Sequence, residues 1–530
     1  MAQPKQREAT GRHAFLVAAG IFLSRVAGLV RQRLFSRYFG QGATADAFNA
    51  AFRIPNFLQT LFGEGVLSAS FIPVYARLLA EKDHQEADRV AGAVAAILAL
   101  VTSIFVLVGV LATPLFIDAI APGFHGAKRE LTIRLVRILF PSIGLLVLSA
   151  WCLGILNSHR KFFLAYAAPV ISSLAMIATL VAFRRQDPSS LVVTYSWGSV
   201  VGSALQFGVQ LPMVLRLAGK LRLRLDIRAA NVREVVRNFA PVFFSRGVYQ
   251  ISGYVDNLLA TLLGDGPVAA LTNAQTLYML PVSLFGMAVS AAELPAMSSA
   301  LGDQDQVAIY LRRRLDSGLR RIAFLVVPSA MAYLALGDVI AAALFENGLF
   351  RHKDSEFVWG ILAGSAVGLL ASTLGRLYSS TYYALRDTRT PLRFAIVRVS
   401  LTIGLGYLCA IPLPHWIGIA QRWGTAGLTA SAGVAGWVEF TLLRRTLNRR
   451  IGRTGLPASL VAQLWTAAAL AAAAGWGVKL VVGRLPVPVP PGLLPIVAAI
   501  PILGAYGLVY FSVTYLFGIE ECTRTLKRFL

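Results

Sequence analysis

Charged residues, cysteines and histidines are all scarce in this chain of 530 residues. Charged residues make up 14% of it, whereas roughly 25% is usual in a soluble protein. Its 3 cysteines and 6 histidines stand singly along the sequence, so neither a disulfide framework nor the ligand spacing of a metal site is indicated. Because 56% of the residues are hydrophobic, the composition favours a membrane protein without a metal centre.

Acidic residues are few relative to basic ones, with 26 Asp and Glu against 50 Lys and Arg and a formal net charge of +24. An excess of this size often indicates nucleic-acid binding. Here the cations lie beside apolar runs, where the anionic headgroups of a cytoplasmic leaflet would meet them. We therefore expect membrane lipids and no nucleic acid as partners. The sequence also lacks the spacings and glycine loops of known catalytic sites, and we expect no enzymatic activity.

Apolar stretches long enough to cross a bilayer recur along the whole chain, since about 20 apolar residues make one crossing. They predict an all-α polytopic membrane protein with fourteen transmembrane helices. The predicted spans begin near Phe15, Ala45, Val90, Thr132, Leu164, Val192, Val235, Ala269, Ala323, Val358, Ala395, Gly424, Leu460 and Leu493.

Basic residues are concentrated in every second connecting segment. The loops at 264–267 and 486–491 contain none. Because basic loops stay on the cytoplasmic side, both termini of this multi-pass membrane protein are predicted to be cytoplasmic. The basic residues that set this orientation are Arg216, Lys220, Arg222, Arg224, Arg228, Arg233, Arg237, Arg444, Arg445, Arg449, Arg450, Arg453, Arg524, Lys527 and Arg528.

The second half of the sequence echoes the first at an offset of about 221 to 224 residues. For example, Ser24-Arg25 recurs as Ser245-Arg246. Each repeat holds six spans, an even number, so both repeats share one orientation, as in transporters with two parallel halves. We predict a pseudo-symmetric N-lobe at 1–220 and C-lobe at 221–455, followed by two further helices and a cytoplasmic C-terminus at 456–530.

Charged residues inside the first two predicted spans are the main candidate site residues, because charge at bilayer depth is costly unless it faces protein or water. Arg25 and Arg31 lie in span one. Asp46, Arg53 and Glu64 lie in span two, at spacings that place them on one stripe of an ideal helix. An arginine cluster suits a phosphate-bearing ligand, since the guanidinium fork matches phosphate oxygens. The alternatives are snorkelling arginines and acids that pair with neighbouring helices.

The second half supplies two deep cations, Arg246 in span seven and Arg376 in span ten. The repeat places Arg246 at the position of Arg25, so we predict that it faces the cleft from the other lobe; the alternative is snorkelling or pairing with Asp256. Asp256 and Asp387 are predicted candidates for coupling to a monovalent cation or to the membrane potential, and helix capping is the alternative for Asp387. No other cofactor is expected.

Several motifs resemble those of the MurJ/MviN lipid II flippases, which belong to the multidrug/oligosaccharidyl-lipid/polysaccharide exporter superfamily. The two most specific lie at 22–31 and 45–56. The resemblance implies two six-helix lobes plus two helices that form a lipid groove. It also implies that Arg25, Arg31 and Arg53 are cationic cavity positions, and that Asp46 and Glu64 are acidic ones. Further matching motifs lie at 61–65, 70–73, 121–124, 154–157 and 383–391.

The resemblance implies that lipid II is moved from the inner to the outer leaflet of the bacterial inner membrane by alternating access, with the cell-wall synthesis machinery as a further partner. This chain departs from the family pattern at three places. Gln32 stands where an acid is frequent, 58–60 replaces a basic pair, and 274–277 replaces an acid–arginine pair. A flippase for another polyprenyl-linked glycan and a cell-wall scaffold that does not transport are the alternative functions.

Overall fold

The structure is a computed structural model of the chain. It describes all residues except 1–2, 63, 220, 227, 299–302, 485–489, 491 and 530. Side chains at 3–18, 58, 61–62, 64–65, 68–69, 240–242, 244–252, 291, 295–296, 304, 526 and 528–529 also lie outside the description. The described residues form helices and no β-strand, which confirms the predicted all-α class.

Packing divides the chain into two compact units, Met1–Tyr254 (unit 1) and Val255–Leu530 (unit 2). This boundary lies inside a helix, and the predicted division at 220 and 455 stays a prediction. The helices of unit 1 are α1 Gln3–Phe39, α2 Ala43–Phe62, α3 Glu64–Ala80, α4 His84–Leu111, α5 Thr113–Ile120, α6 Gly126–Ser158, α7 Phe162–Ala182, α8 Pro188–Leu217 and α9 Ala230–Thr261, which continues into unit 2.

Helix α6 is the centre of unit 1, where it packs against α2, α3, α4 and α8. Leu135, Val136 and Leu139 on this helix are fully buried. A buried polar link joins it to α8: the Ser149 hydroxyl donates to the Gln210 side chain at 2.7 Å. Such interhelical hydrogen bonds fix helix register in a membrane, where apolar packing alone is weakly directional.

Unit 2 begins at the end of α9, and the residues that the structure describes there form ten further α-helices. They are α10 Pro267–Pro281, α11 Ala288–Ser298, α12 Gln304–Phe345, α13 His352–Ala384, α14 Arg389–Ala410, α15 Pro412–Ile417, α16 Gly424–Ile451, α17 Ala458–Val482, α18 Leu494–Leu516 and α19 Glu520–Phe529. A π-helical turn, Val282–Met287, joins α10 to α11. Helix α13 is the centre of this unit and packs against α10, α11, α12 and α16, while the α17–α18 hairpin packs on α12.

Among the described residues, 11 helices are long and apolar enough to cross a membrane. They correspond to eleven of the predicted spans, and the π-helical turn is part of one of them. The three other predicted spans fall on α1, on α2–α3 and on α9, each of which contains side chains outside the described part. A multi-span membrane protein is therefore confirmed, and the number fourteen stays a prediction.

Helix α12 is interrupted at Leu336, whose φ of −130° and ψ of 18° are not helical. The two carbonyls before this break are bound by indole N–H groups. Trp359 of α13 donates to Leu334 at 3.0 Å, and Trp476 of α17 donates to Ala335 at 3.1 Å. Since a free carbonyl in hydrocarbon costs several kcal/mol, these two bonds explain how the break is tolerated.

Helices α13 and α16 approach so closely that glycine is required at the contact. A Cβ atom on Gly368 would lie 2.4 Å from the Gly433 Cα atom, and one on Gly433 would lie 2.7 Å from the Gly368 nitrogen. Small residues allow this kind of backbone approach between membrane helices. Gly436, three residues further along α16, has no atom within 4 Å of such a Cβ.

We expect Gly433→Val to destabilise unit 2 by about 1–3 kcal/mol, the usual cost of overpacking, because backbone atoms cannot yield as side chains do. Gly436→Val on the same helix carries the same change in helix propensity without the clash. The measurement is the midpoint of heat-induced loss of the monodisperse peak in detergent. Equal losses for the two variants would contradict the close contact.

Candidate functional site

Arg31 on α1 lies half-buried in an aromatic environment. Its guanidinium is 5.6 Å from the centroid of the Phe52 ring on α2, and one N–H reaches the Met176 sulfur of α7 at 3.4 Å. Phe52 stacks on Phe48 with ring centroids 5.3 Å apart. No carboxylate binds Arg31 among the described residues. These polarizable groups thus hold the guanidinium in place without neutralising its charge.

Arg53 follows Phe52 on α2 and turns towards the part of α9 that belongs to unit 1. Its Nη2 donates to the Gly253 carbonyl at 2.6 Å, and its guanidinium is 5.6 Å from the centroid of the Tyr254 ring. In return the Tyr254 hydroxyl donates to the Arg53 carbonyl at 2.8 Å. Arg31 therefore contacts Phe52, the residue that precedes Arg53 on α2, and Arg53 is held against α9.

Arg25 on α1 is exposed and makes no hydrogen bond or ion pair with any described residue. Gly28, one turn later, has open space around the position of a Cβ atom. Two other predicted site residues, Glu64 and Arg246, have side chains that lie outside the described residues. Their predicted roles are not addressed by the structure.

Asp46 is fully buried near the start of α2 and is bound by a residue that the sequence did not single out. Lys128, at the start of α6, donates to an Asp46 carboxylate oxygen at 2.8 Å, and only 10% of the Lys128 side chain is exposed. The Lys128 ammonium also lies 4.1 Å from the centroid of the Phe124 ring. This ion pair joins α2 to α6. The signal that could have revealed it is the lone lysine just after the 121–124 motif.

Unit 2 contains Arg376 on α13 and Asp256 near the end of α9, both half-buried. Ion pairs neutralise other charges in its spans. Arg398 of α14 binds Glu439 of α16 at 3.1 Å, and Lys479 of α17 binds Asp338 of α12. Each of these ion pairs joins two helices that are far apart in sequence, so the sequence alone does not reveal it.

Asp387 lies in the short loop between α13 and α14. One carboxylate oxygen accepts from the Thr390 backbone N–H at 3.0 Å, and the other accepts from the Thr390 hydroxyl and from Arg450, both at 2.7 Å. Burial alone would raise the pKa of Asp387, but these donors outweigh it and lower the pKa to about 2. These contacts cap the first turn of α14, and the predicted coupling role of Asp387 stays a prediction.

These contacts favour binding of an anion in unit 1. Arg25 and Arg31 carry charge that no described carboxylate neutralises, whereas the acid nearest to Arg31 in sequence, Asp46, is bound by Lys128. Guanidinium groups match phosphate oxygens in geometry and stay charged at every physiological pH. No three His, Cys, Asp or Glu side chains of the described part are grouped as ligands for a metal ion.

Comparison with known proteins gives consistent results for sequence and fold. The family model described as lipid II flippase MurJ matches residues 35–487. The lipid II flippase MurJ of Burkholderia cenocepacia is 33% identical over 445 residues, which are 82% of this chain and 84% of that protein. The probable lipid II flippase MurJ of Rhizobium tropici is 32% identical over 444 residues, 82% of this chain and 80% of that protein.

A solved structure of a lipid II flippase MurJ in an inward closed conformation has the same fold. The TM-score is 0.77 at 23% identity, and the match covers 95% of this chain and 98% of that chain. The resemblance inferred from the sequence motifs is thereby confirmed. With a family model matched across most of its length and relatives about one third identical over four fifths of it, this chain belongs to the lipid II flippase MurJ family.

Proposed function

We propose that this chain is a flippase that moves lipid II, the lipid-linked peptidoglycan precursor, from the inner to the outer leaflet of a bacterial cytoplasmic membrane. The observation that carries this proposal is the family match over residues 35–487. Relatives about one third identical are named lipid II flippases. The eleven apolar helices provide the multi-span membrane architecture that such transport requires.

Arg25, Arg31 and Arg53 are the proposed binding site for the pyrophosphate of the substrate. Arg25 is exposed, so it can meet a ligand first. Arg31 and Arg53 lie beside the Phe52 and Tyr254 rings, which hold their guanidinium groups in place. Asp46 and Glu64 remain proposed site residues on the ground of the family resemblance. Arg246 remains one because the sequence repeat places it at the position of Arg25, and Arg376 because it lies deep in span ten.

The proposed cycle is alternating access by two lobes of six spans each. The fourteen spans would be the eleven apolar helices together with α1, the α2–α3 pair and α9. The basic loops would then face the cytoplasm together with both termini. The prenyl tail would stay in lipid beside the α17–α18 hairpin, which packs on α12.

A flippase for another polyprenyl-linked glycan is the second candidate. The observation that favours it lies on α10, where residues 274–277 carry no charge. The Thr276 hydroxyl there donates to the Thr272 carbonyl at 2.9 Å, which is a bond within the helix. Transport assays with purified protein and either lipid II or a differently glycosylated polyprenyl pyrophosphate would separate the two candidates.

We expect Arg25→Ala, Arg31→Ala and Arg53→Ala each to abolish or sharply reduce complementation of cells depleted of their own lipid II flippase, because a charge-assisted contact to phosphate is lost. Lysine at these positions should restore part of the activity, since it supplies charge without the bidentate fork. Membrane levels are measured by immunoblot.

Arg37→Ala is the matched control, because Arg37 is an exposed arginine on the same helix, α1. It should complement fully. Normal growth of an Arg25→Ala, Arg53→Ala double variant would contradict a pyrophosphate site at these residues.

The side of the membrane on which each loop lies can be tested by cysteine labelling. In a background without the three native cysteines, Arg484→Cys after α17 should react with an impermeant maleimide in intact spheroplasts. Arg224→Cys between α8 and α9 should react only after permeabilisation. Both positions are exposed, so accessibility to the reagent depends on the side of the membrane. The opposite labelling pattern would invert the proposed orientation.

Asp387 and Asp256 of unit 2 are predicted to differ in role, the first in stability and the second in coupling. The folded-state pKa of Asp387, about 2, lies below the value of about 3.9 for an unfolded Asp. Its carboxylate therefore contributes stability that is fully present above about pH 4 and is lost as the pH falls towards about 2. We expect Asp387→Asn to lower stability by about 1 kcal/mol at pH 7, as for a lost cap, and the difference from the parent chain to vanish near pH 2.

Asp256→Asn should instead alter the dependence of transport on sodium or membrane potential if Asp256 couples the cycle to either. Thermal unfolding followed by tryptophan fluorescence measures the loss of stability in Asp387→Asn. Flux into proteoliposomes under imposed gradients measures the change of coupling in Asp256→Asn. A flux from Asp256→Asn that responds to sodium and potential as the parent does would remove Asp256 from the coupling site.

A further inference from the structure

A groove of about 570 Å³ lies on unit 1 between α6 and α8, and its residues are not those of the candidate pyrophosphate site. Glu130, Arg134, Arg137 and Pro141 line it from α6, and Trp197 lines it from α8. With about 100° per residue, these four residues of α6 fall within a stripe about 60° wide, and Ile133 and Ile138 line the groove on either side of it. The four therefore face one way along the helix.

The two arginines of this groove carry charge that the protein does not compensate. Arg134 and Arg137 are exposed, and neither makes an ion pair or a hydrogen bond with a residue that the structure describes. Arg129, earlier on the same helix, is different because Asp118 accepts two bonds from it, at 2.7 and 2.9 Å. Asp118 thus neutralises Arg129, whereas no described carboxylate neutralises Arg134 or Arg137.

The position of the groove along α6 corresponds to the boundary between hydrocarbon and headgroups. Residues 138–156 of this helix contain no charged side chain, and about 20 such residues cross a bilayer. Arg137 therefore lies at the edge of the hydrocarbon, and Arg134 lies about 4.5 Å further out along the axis. Trp197, which is 54% exposed, is of the type that is enriched at this depth.

The indole N–H of Trp197 is also available to a ligand, since it makes no hydrogen bond within the described residues. Other tryptophans of the chain use theirs to bind backbone carbonyls: Trp151 donates to Ala91 at 3.2 Å, and Trp437 donates to Val367 at 2.8 Å. The groove thus offers cations, one hydrogen-bond donor and an apolar floor at the depth of a lipid phosphate.

We propose that this groove binds an anionic phospholipid. Its phosphodiester lies between Arg134 and Arg137, and an acyl chain runs along Ile138, Pro141 and Trp197. Two arginines against the single acid Glu130 leave a net positive charge, which favours an anionic headgroup over a zwitterionic one. A headgroup hydroxyl of phosphatidylglycerol can donate to Glu130. In the topology proposed above the lipid belongs to the outer leaflet, but its binding requires neither that orientation nor transport.

The test uses the full chain in detergent and measures the quenching of tryptophan fluorescence by brominated phosphatidylglycerol. Arg134→Gln, Arg137→Gln is the groove variant. Arg184→Gln, Arg185→Gln is the control, because those exposed arginines lie in the loop between α7 and α8 and outside the groove. We expect the apparent affinity to fall by about fivefold or more in the groove variant, the sum of two exposed charge contacts, and to stay unchanged in the control.

Trp197→Phe tests whether the lipid lies in the groove. It should remove the component of quenching that is also lost in Arg134→Gln, Arg137→Gln. Brominated phosphatidylcholine should bind more weakly than phosphatidylglycerol, and glycerol 3-phosphate should not compete since it lacks the acyl chains. Equal losses in the two double variants would show unspecific attraction and overturn the proposal. So would quenching that is unchanged in Trp197→Phe or equal for the two lipids. These readouts do not involve lipid II, so they stand apart from the proposed flippase activity.

Discussion

Charge is the constraint on which this structure depends, because a bilayer offers no water to a polar group in its interior. Ion pairs meet the constraint within each unit. Lys128 binds the fully buried Asp46 in unit 1, and the half-buried Lys479 binds Asp338 in unit 2. Removing Lys128 would leave a buried charge alone, which typically costs about 3–5 kcal/mol. Both pairs join neighbouring helices.

Against this background the surroundings of Arg31 are informative. Its contacts in the described structure are an aromatic ring and a thioether sulfur, which hold the guanidinium in place without cancelling its charge. A guanidinium held in this way in a membrane protein keeps its full charge and can bind an anionic ligand. Helices α1, α2 and α7 supply the arginine, the ring and the sulfur, so in the proposed function their packing would set where the pyrophosphate binds.

Much of the fold could be predicted from the sequence, because each span is a local property. Eleven of the predicted spans coincide with long apolar helices, and the family was recognisable from motifs at 22–31 and 45–56. The break at Leu336 was not predictable in the same way. It depends on two tryptophans that approach from other helices, and hydropathy does not report such contacts.

The site could be predicted only in part, for the same physical reason. Arg31 and Arg53 were identified as charges in apolar runs, but their aromatic partners Phe52 and Tyr254 were not. Lys128 was missed because 82 residues separate it from Asp46. A calculation of helical stripes places residues relative to their own helix, whereas an ion pair between helices depends on packing that no single helix encodes.

The break in α12 has a mechanical consequence. Trp476 of α17 donates to the Ala335 carbonyl, and Lys479 of the same helix binds Asp338 just beyond the break. Sliding α17 along α12 would therefore expose a carbonyl and separate two charges in a medium that solvates neither. These two contacts couple α17 to α12, so the α17–α18 hairpin cannot slide along α12 without losing both a hydrogen bond and an ion pair.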